Sequence, residues 1–324
     1  MKLACIFALA VITLQAQPAG RSKPGAAPRT ADGHPDLQGI WTNATLTPLA
    51  RPAQQADRAT LTAEEALALE KRAAAVATTD ARGATAEQDR DLAYNRLFID
   101  RGSELAVVDG QKRSSLIVDP ADGRVPALTA AARAKRAARL REMETFSGAS
   151  VRPLGERCLV GFGSTSGPPM MPVLYNNNYQ IVQTPDAIMI LVEMVHDVRT
   201  IRMNGSPHPP ANVKLWLGDS IGHWESNTLV VDTTNFTGKT SFQGSGDGLR
   251  VVERFRMQDA ETFIYRVTVE DPASFAGPMT VEYPFRMTAG PIFEYACHEG
   301  NYAMSDILGG ARKQEAPGTE RKNQ

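Results

Sequence analysis

Residues 261 to 287 alternate with a strict period of two. In ETFIYRVTVED, Phe263, Tyr265, Val267 and Val269 share one face, and Thr262, Arg266, Thr268 and Glu270 share the other. In MTVEYPFRM, Met279, Val281, Tyr283, Phe285 and Met287 share a face against Thr280, Glu282 and Arg286. Successive side chains of a strand point to opposite sides, so this pattern means antiparallel strands with one buried face and one wet face. NYQIVQT, AIMILVEMVHD, VRTIRM, NTLVVDTTNF and LRVVERFRM precede these two, which predicts seven strands in series from Asn178 onward. Such a series must bury a common face and dispose of its edges. Curling into an up-and-down barrel does both; a β-sandwich is the alternative.

The first half of the chain is different. DGHPDLQGIWTN suggests a short first strand through Leu37, Gly39, Ile40 and Trp41. TLTAEEALALEKRAAAVATT reads as a helix, because Thr62 with Glu65 three residues on makes a capping box and Leu67, Leu69 and the alanines supply an apolar face. A second Ala-rich helix is expected from about Thr129 to Met143, on the surface because its apolar stripe is thin. RLFID, SELAVVD and SSLIVDP between them read as short strands. Residues 147 to 178 form a long Gly, Ser and Pro loop around GFGSTSGPPMMP. That loop is neither a phosphate loop, since Pro168 and Pro169 follow at once and no lysine is placed for one, nor a nucleophile elbow, which needs a helix after it. The chain thus divides into a flexible leader over 17–31, a single β-rich domain over 32–310 with a helical insertion over about 60–145, and a disordered tail over 311–324.

The start, MKLACIFALAVITLQA, carries Lys2 and an apolar run from Leu3 to Leu14, too short to span a bilayer. It reads as a signal peptide over 1–16, cut near Ala16 or Ala19, which places the protein in the periplasm or outside the cell and takes Cys5 away with it. In an oxidising compartment the two remaining cysteines, Cys158 and Cys297, are most simply a disulfide. The formal net charge is -1 and no block of like charge occurs, so neither nucleic acid nor an anionic membrane is an expected partner.

Candidate chemistry comes from polar residues at apolar positions. In LRVVERFRM, Glu253 shares a face with Leu249, Val251, Phe255 and Met257, where an isolated charge is too costly to leave unpaired. In AIMILVEMVHDVR, Glu193 shares a face with Met189, Leu191 and Val195, and Asp197 and Arg199 continue it. Inward polar groups among apolar ones are what a small-molecule site in a barrel looks like; a buried Glu–Arg pair that only closes the barrel gives the same pattern. His196 falls on the opposite strand face. CHEGNYAM, from Cys297, offers His298, Glu299, Asn301 and Tyr302 either as ligand contacts at a barrel mouth or as a polar cap on the last helix. It lacks the second histidine of H-E-x-x-H, and no metal or other cofactor is expected. YNNNYQ puts three asparagines between Tyr175 and Tyr179, in a turn or as amides for a ligand.

Taken in order, ADGHPDLQGIW, YNNNYQIVQTP, MVHDVR, WLGDS, NTLVVDTTNF, VERF and YACHEGNYAM resemble a large group of exported bacterial proteins of unassigned function. The resemblance spans about residues 31 to 312 and implies export, with no established reaction. HWESNTLVVDT departs from the RWEGDTLVVDT of that group; Ser226 and Asn227 replace a Gly-Asp turn that either pair can make. Gly39-Ile40-Trp41 resembles the G-x-W signature of lipocalin-type barrels, which implies the same architecture.

Three functions fit these residues. A small-molecule-binding barrel holds a partly apolar ligand, with Arg199, Tyr179, His196, Glu299 and Tyr302 as contacts. A cofactor-independent lyase, isomerase or hydrolase uses Glu253 or Glu193 as base and His298 as acid, with Arg199 holding an anionic intermediate. An envelope scaffold fills its lumen with Phe255, Phe263, Tyr265 and Tyr283.

Overall fold

Nine strands close into a barrel: β1 (Gly39–Thr42), β5 (Asn178–Gln183), β6 (Ala187–Val192), β7 (Val198–Arg202), β8 (Asp219–Glu225), β9 (Thr228–Thr234), β10 (Arg250–Met257), β11 (Thr262–Glu270) and β12 (Met279–Met287), with β12 pairing back onto β1. The computed structural model describes residues 27–55, 57–78, 85, 99–161, 167–240 and 242–316. The segment read as a signal peptide, most of the expected leader, RLFID up to Phe98, most of GFGSTSG and the last residues of the tail lie outside the described residues. An odd number of strands cannot close with antiparallel neighbours throughout, because each antiparallel step reverses direction. One neighbour pair has to be parallel, and it is β7 with β8, through Ile201↔Ser220 and Arg202↔Ile221. A parallel step needs a crossover connection. Here it is the irregular segment from Met203 to Gly218, stitched down by the Asn235 side-chain amide, which donates to the carbonyls of Pro209, Pro210 and Val213 at 3.3, 3.1 and 2.9 Å. At the seam Gly222 lies against β7 so closely that a Cβ would meet Met203 Sδ at 2.6 Å and Ile201 Cγ2 at 2.8 Å.

The seven strands expected from Asn178 are present, together with the expected first strand. β8 is the one that the alternation missed. Of its inward positions Ser220 and Gly222 do not read as apolar, and only Trp224, partly buried against the core, does. Glu225 pairs with Thr228, so Ser226 and Asn227 make the two-residue hairpin turn, with Ser226 at φ 53°. β6 corrects the face assignment. Ile188, Ile190 and Val192 point inward, and Met189 is 40% exposed. The expected continuous strand breaks after Val192 into a tight turn from Met194 to His196, where Val195 takes φ 68°. Glu193 and Val195 are buried by that turn and not by strand parity.

The other elements cover the barrel's surface and edge. β2 (Val107–Val108) and β3 (Gln111–Lys112) form a small hairpin. β4 (Ile117–Asp119) pairs with the start of β12, which β1 leaves open. Helix α1 (Ala63–Thr78) begins at the expected capping box: Thr62 Oγ1 accepts from Glu65 N–H at 3.2 Å, and Glu65 Oε2 accepts from Thr62 N–H at 2.9 Å. Helix α2 (Ala130–Glu144) is capped by Thr129 and buries only Ala132 of its length. Helix α3 (Ala303–Glu315) continues past Ala311, so residues 311–315, expected in the tail, are helical.

Cys158 and Cys297 sit at disulfide distance, Cα to Cα 5.7 Å, across 139 positions of sequence. Joining them removes loop freedom from the unfolded chain, up to about 5 kcal/mol in the chain-entropy account. Reduction, or Cys158→Ser, is expected to lower the urea midpoint by a corresponding fraction of that figure. The denatured mass of the oxidised protein is expected to be lighter than the reduced one by two hydrogens; equal masses would mean that the thiols are free.

Candidate functional site

The lumen of the barrel is filled. Trp41, Phe255, Phe263, Phe285, Tyr265 and Tyr283 are fully buried, their centroids 4.8–5.7 Å apart in stacked, tilted and edge-to-face pairs. These rings come from alternate positions of β1, β10, β11 and β12, so the strict period two of the sequence translates directly into a core. Trp41 Nε1 donates to the Leu37 carbonyl at 2.9 Å, which satisfies the one polar atom of the first-strand tryptophan.

Into this core the sequence inserts Glu253, with no solvent exposure, and Arg199, 3% exposed. Glu253 Oε1 accepts from Arg199 Nη1 at 2.8 Å and from the Tyr265 hydroxyl at 2.7 Å, and Oε2 accepts from Arg199 Nη2. Arg199 Nε donates to Ser220 Oγ at 3.0 Å and Nη2 to Thr233 Oγ1 at 3.0 Å. The guanidinium is thus bidentate on a carboxylate, with the hydroxyls on its remaining edge bonded to each other at 2.9 Å. Tyr265 also accepts from the Met170 amide at 3.1 Å; Tyr283 donates to the Met170 carbonyl, and Asn43 Nδ2 donates to the same oxygen at 3.0 Å. Met170, from the PPMM end of the Gly-Pro loop, therefore plugs the lumen with its backbone polar groups satisfied by three barrel side chains. Sequence reasoning missed this role; the signal was two adjacent methionines in an otherwise polar loop.

Tyr179 is buried in the same region, its hydroxyl 3.5 Å from Asn43 Nδ2. Burial is the main force pushing the phenols of Tyr179, Tyr265 and Tyr283 up, and the charge of Glu253 adds to it at each.

Glu193 does not join Arg199. It sits 2% exposed at the end of the barrel where β5 begins and β6 ends. Oε2 accepts from Asn178 N–H at 3.2 Å and Oε1 from Phe293 N–H at 2.9 Å. It thereby fastens the segment after β12 to the barrel. Above it opens a cleft of about 740 Å3 lined by Asp100, Leu174, Tyr175, Asn176, Asn178, Phe293, Glu294 and Tyr295. Its lining includes three carboxylates and, among the described residues, no Lys or Arg. Partial burial, with help from its contact to Tyr175, pushes the Tyr295 phenol up to about 12. His196 is exposed at the rim and donates from Nδ1 to the Tyr295 carbonyl at 3.0 Å. Burial also raises the Asp197 carboxyl, against the opposing pull of His196.

CHEGNYAM forms the cap. Asn301 Oδ1 accepts from Ala303 N–H at 2.9 Å and its Nδ2 donates to the Cys297 carbonyl at 2.9 Å, starting α3 after Gly300 at φ 65°. His298 and Glu299 are exposed, and Tyr302 is 71% exposed. None of the three is a hydrogen-bond partner of Glu253. The structure thus brings together Glu253, Arg199 and Tyr179 in the lumen, Glu193 and His196 beside the mouth cleft, and His298, Glu299 and Tyr302 on a separate surface. Comparison with protein-family models, with characterised proteins and with solved structures finds no match to the chain. Among the described residues no group of His, Cys, Asp and Glu is arranged to hold a metal ion, and no helix is long and apolar enough to cross a membrane.

Removing one partner of a buried pair strands the other charge, so Glu253→Gln is expected to destabilise by about 3–5 kcal/mol in urea unfolding. The double variant Glu253→Gln/Arg199→Met is expected to recover part of that loss. A Glu253→Gln protein as stable as the parent would mean that the pair contributes nothing.

The four raised phenols fix a pH window. A folded pKa above the unfolded value of about 10 contributes stability that is present below pH 10 and lost as pH climbs through the folded values. At about pH 10.5 the folded protein is expected to keep these four phenols protonated, and guanidinium unfolding to release about three phenolates in all, read by their ultraviolet absorbance.

Proposed function

We propose that this is an exported protein that binds a small, partly apolar, uncharged or cationic molecule in the cleft at the barrel mouth, with the barrel itself as rigid support. The observation that carries this reading is the lining of that cleft: Leu174, Tyr175, Phe293 and Tyr295 present apolar surface beside the amides of Asn176 and Asn178 and the carboxylates of Asp100 and Glu294. Phe293 is 63% exposed in this concavity, more than a ring gains from facing water. The volume falls within the range of about 300–1,000 Å3 in which small-molecule sites occur, and apolar walls with a few convergent polar groups are their usual make-up. Rings offer a face to a sugar or an organic cation, and amides and carboxylates accept and donate to hydroxyls. Export is supported by the apolar run after Lys2 and by the cysteine pair at disulfide distance.

Binding at the mouth is favoured over acid–base chemistry in the lumen by the state of Glu253. Its two oxygens hold Arg199 and Tyr265 inside a packed core, which leaves a substrate proton no approach.

Native mass spectrometry of the protein from the periplasm, and titration with the neutral fluorophore N-phenyl-1-naphthylamine, test the proposal. Saturable binding is expected, weakened about fivefold or more by Tyr175→Ala and Phe293→Ala. Substitution of so exposed a ring as Phe293 is expected to move stability by no more than about 0.5 kcal/mol. Binding that is indifferent to both substitutions, with no retained mass, would sink the assignment.

A further inference from the structure

A second concavity lies away from the mouth cleft and has the opposite charge. It is a groove of about 850 Å3 between α2, the segment 150–161 and the β9–β10 connection at 238–240. Lys135 and Arg139 enter it from α2, Arg157 from the facing segment and Lys239 from the connection. One carboxylate, Glu142, shares the lining, and it is taken by Arg139 at 2.8 Å. Lys135, Arg157 and Lys239 make no ion pair among the described residues. Four cations against one carboxylate, in a chain of net charge -1, are a local concentration that the overall composition conceals.

The groove is also built, not an accident of loose loops. Arg152, buried at its side, donates from Nη1 to the Met143 carbonyl at 2.8 Å and grips Glu156 with Nε and Nη2 at 2.9 and 3.0 Å. Its guanidinium also lies 4.5 Å from the centroid of the Phe146 ring. These contacts tie the segment before Arg157 to the end of α2. Cys158, the next residue, is fastened to Cys297. Thr129 Oγ1 donates to the Ala273 carbonyl at 2.8 Å and fixes the other end of α2 to the barrel. Between the cations the walls are apolar: Met143, Pro153, Leu154 and Val160.

We infer that this groove is a binding site for a small organic anion with an apolar body. Cleft walls of one charge sign focus their field on the space between them and raise the local concentration of the opposite ion. Guanidinium and ammonium groups held from three chain segments fit a carboxylate, sulfonate or phosphate headgroup, and the apolar walls fit the body behind it. The inference is independent of the mouth cleft, whose carboxylates repel such a ligand.

The probe is 1-anilinonaphthalene-8-sulfonate, an apolar body with one fixed negative charge, titrated into the folded, oxidised protein at low and at moderate salt. Saturable binding that weakens with salt is expected. The double variant Lys135→Glu/Lys239→Glu reverses two exposed charges, and circular dichroism and the melting temperature are expected to match the parent. Its probe affinity is expected to fall about tenfold or more, because a like charge now faces the anion, while binding of neutral N-phenyl-1-naphthylamine stays unchanged. Competition separates the headgroups: pyrophosphate displacing the probe marks a phosphate-type site, and citrate displacing it a carboxylate-type site. Displacement by neither, affinity unchanged in the charge-reversed variant, or probe binding lost in Phe293→Ala instead would each overturn the inference.

Discussion

The Arg199–Glu253 pair holds the barrel where its ladder is weakest. The β7–β8 seam is parallel and joined through two registered residue pairs, while β10 and β11 are in register over their full length. Arg199 stands on β7 beside that seam and bonds Ser220 on β8, Thr233 on β9 and Glu253 on β10; Glu253 passes the network to Tyr265 on β11. Through Met170 it reaches Tyr283 on β12. One connected set of side-chain hydrogen bonds therefore crosses the closed sheet from the parallel seam to the strand that closes it. A buried ion pair is a costly way to gain stability, and apolar residues of equal volume often do as well. Its distinctive contribution here is geometric. The guanidinium fork has four fixed donor directions in use, and these define how β7 sits against β8, β9 and β10, whereas interchangeable methyl groups leave a two-pair seam free to slip.

A filled lumen leaves no open cavity at the centre of the barrel among the described residues. The rings that alternate through β10, β11 and β12 leave the barrel a solid support, and Met170 occupies the space that a ligand takes in a hollow barrel. Among the described residues the connections build concavities around the barrel, the mouth cleft over Glu193 and the basic groove between α2 and the segment that carries Cys158 among them. Both rest on fixed elements, Glu193 anchoring the segment of Phe293 and the cysteine pair anchoring that of Arg157, so each concavity is held in shape before any ligand arrives.

The parts of the fold that were legible in the sequence are those where one physical rule acts alone. Strict alternation in β11 and β12 settled faces correctly down to Phe285, because nothing interrupts the pleat there. Glu253 was legible as a buried carboxylate for the same reason. The capping box of α1 is local and reads directly from Thr62 and Glu65. Where two rules compete, reading failed. β8 hides because closing the barrel at a parallel seam calls for Ser220 and Gly222 at inward positions, which erases the apolar signal. Along β6 the run of apolar residues on both faces makes parity ambiguous, and the turn at Val195 resets it, so Glu193 and Arg199 are both buried yet belong to different places. The partners of Glu253 lie 12 to 54 positions away in sequence and follow only from strand order.

The residues of CHEGNYAM show the limit of chemical reading most clearly. A thiol, an imidazole, a carboxylate, an amide and a phenol within six positions look like a reactive cluster. Sequence proximity is nevertheless a poor guide to convergence. A helix start at Ala303 preceded by a left-handed Gly300 sends consecutive side chains in different directions, and Asn301 spends its amide on the backbone around it. The long-range partner of the set is Cys158, bonded to Cys297 and also reached by Asn301 Nδ2 at 3.3 Å. The link from Cys297 to Cys158 makes the stretch a clamp between the last part of the β-rich domain and the internal segment that carries Arg157, beside the basic groove and not inside the barrel.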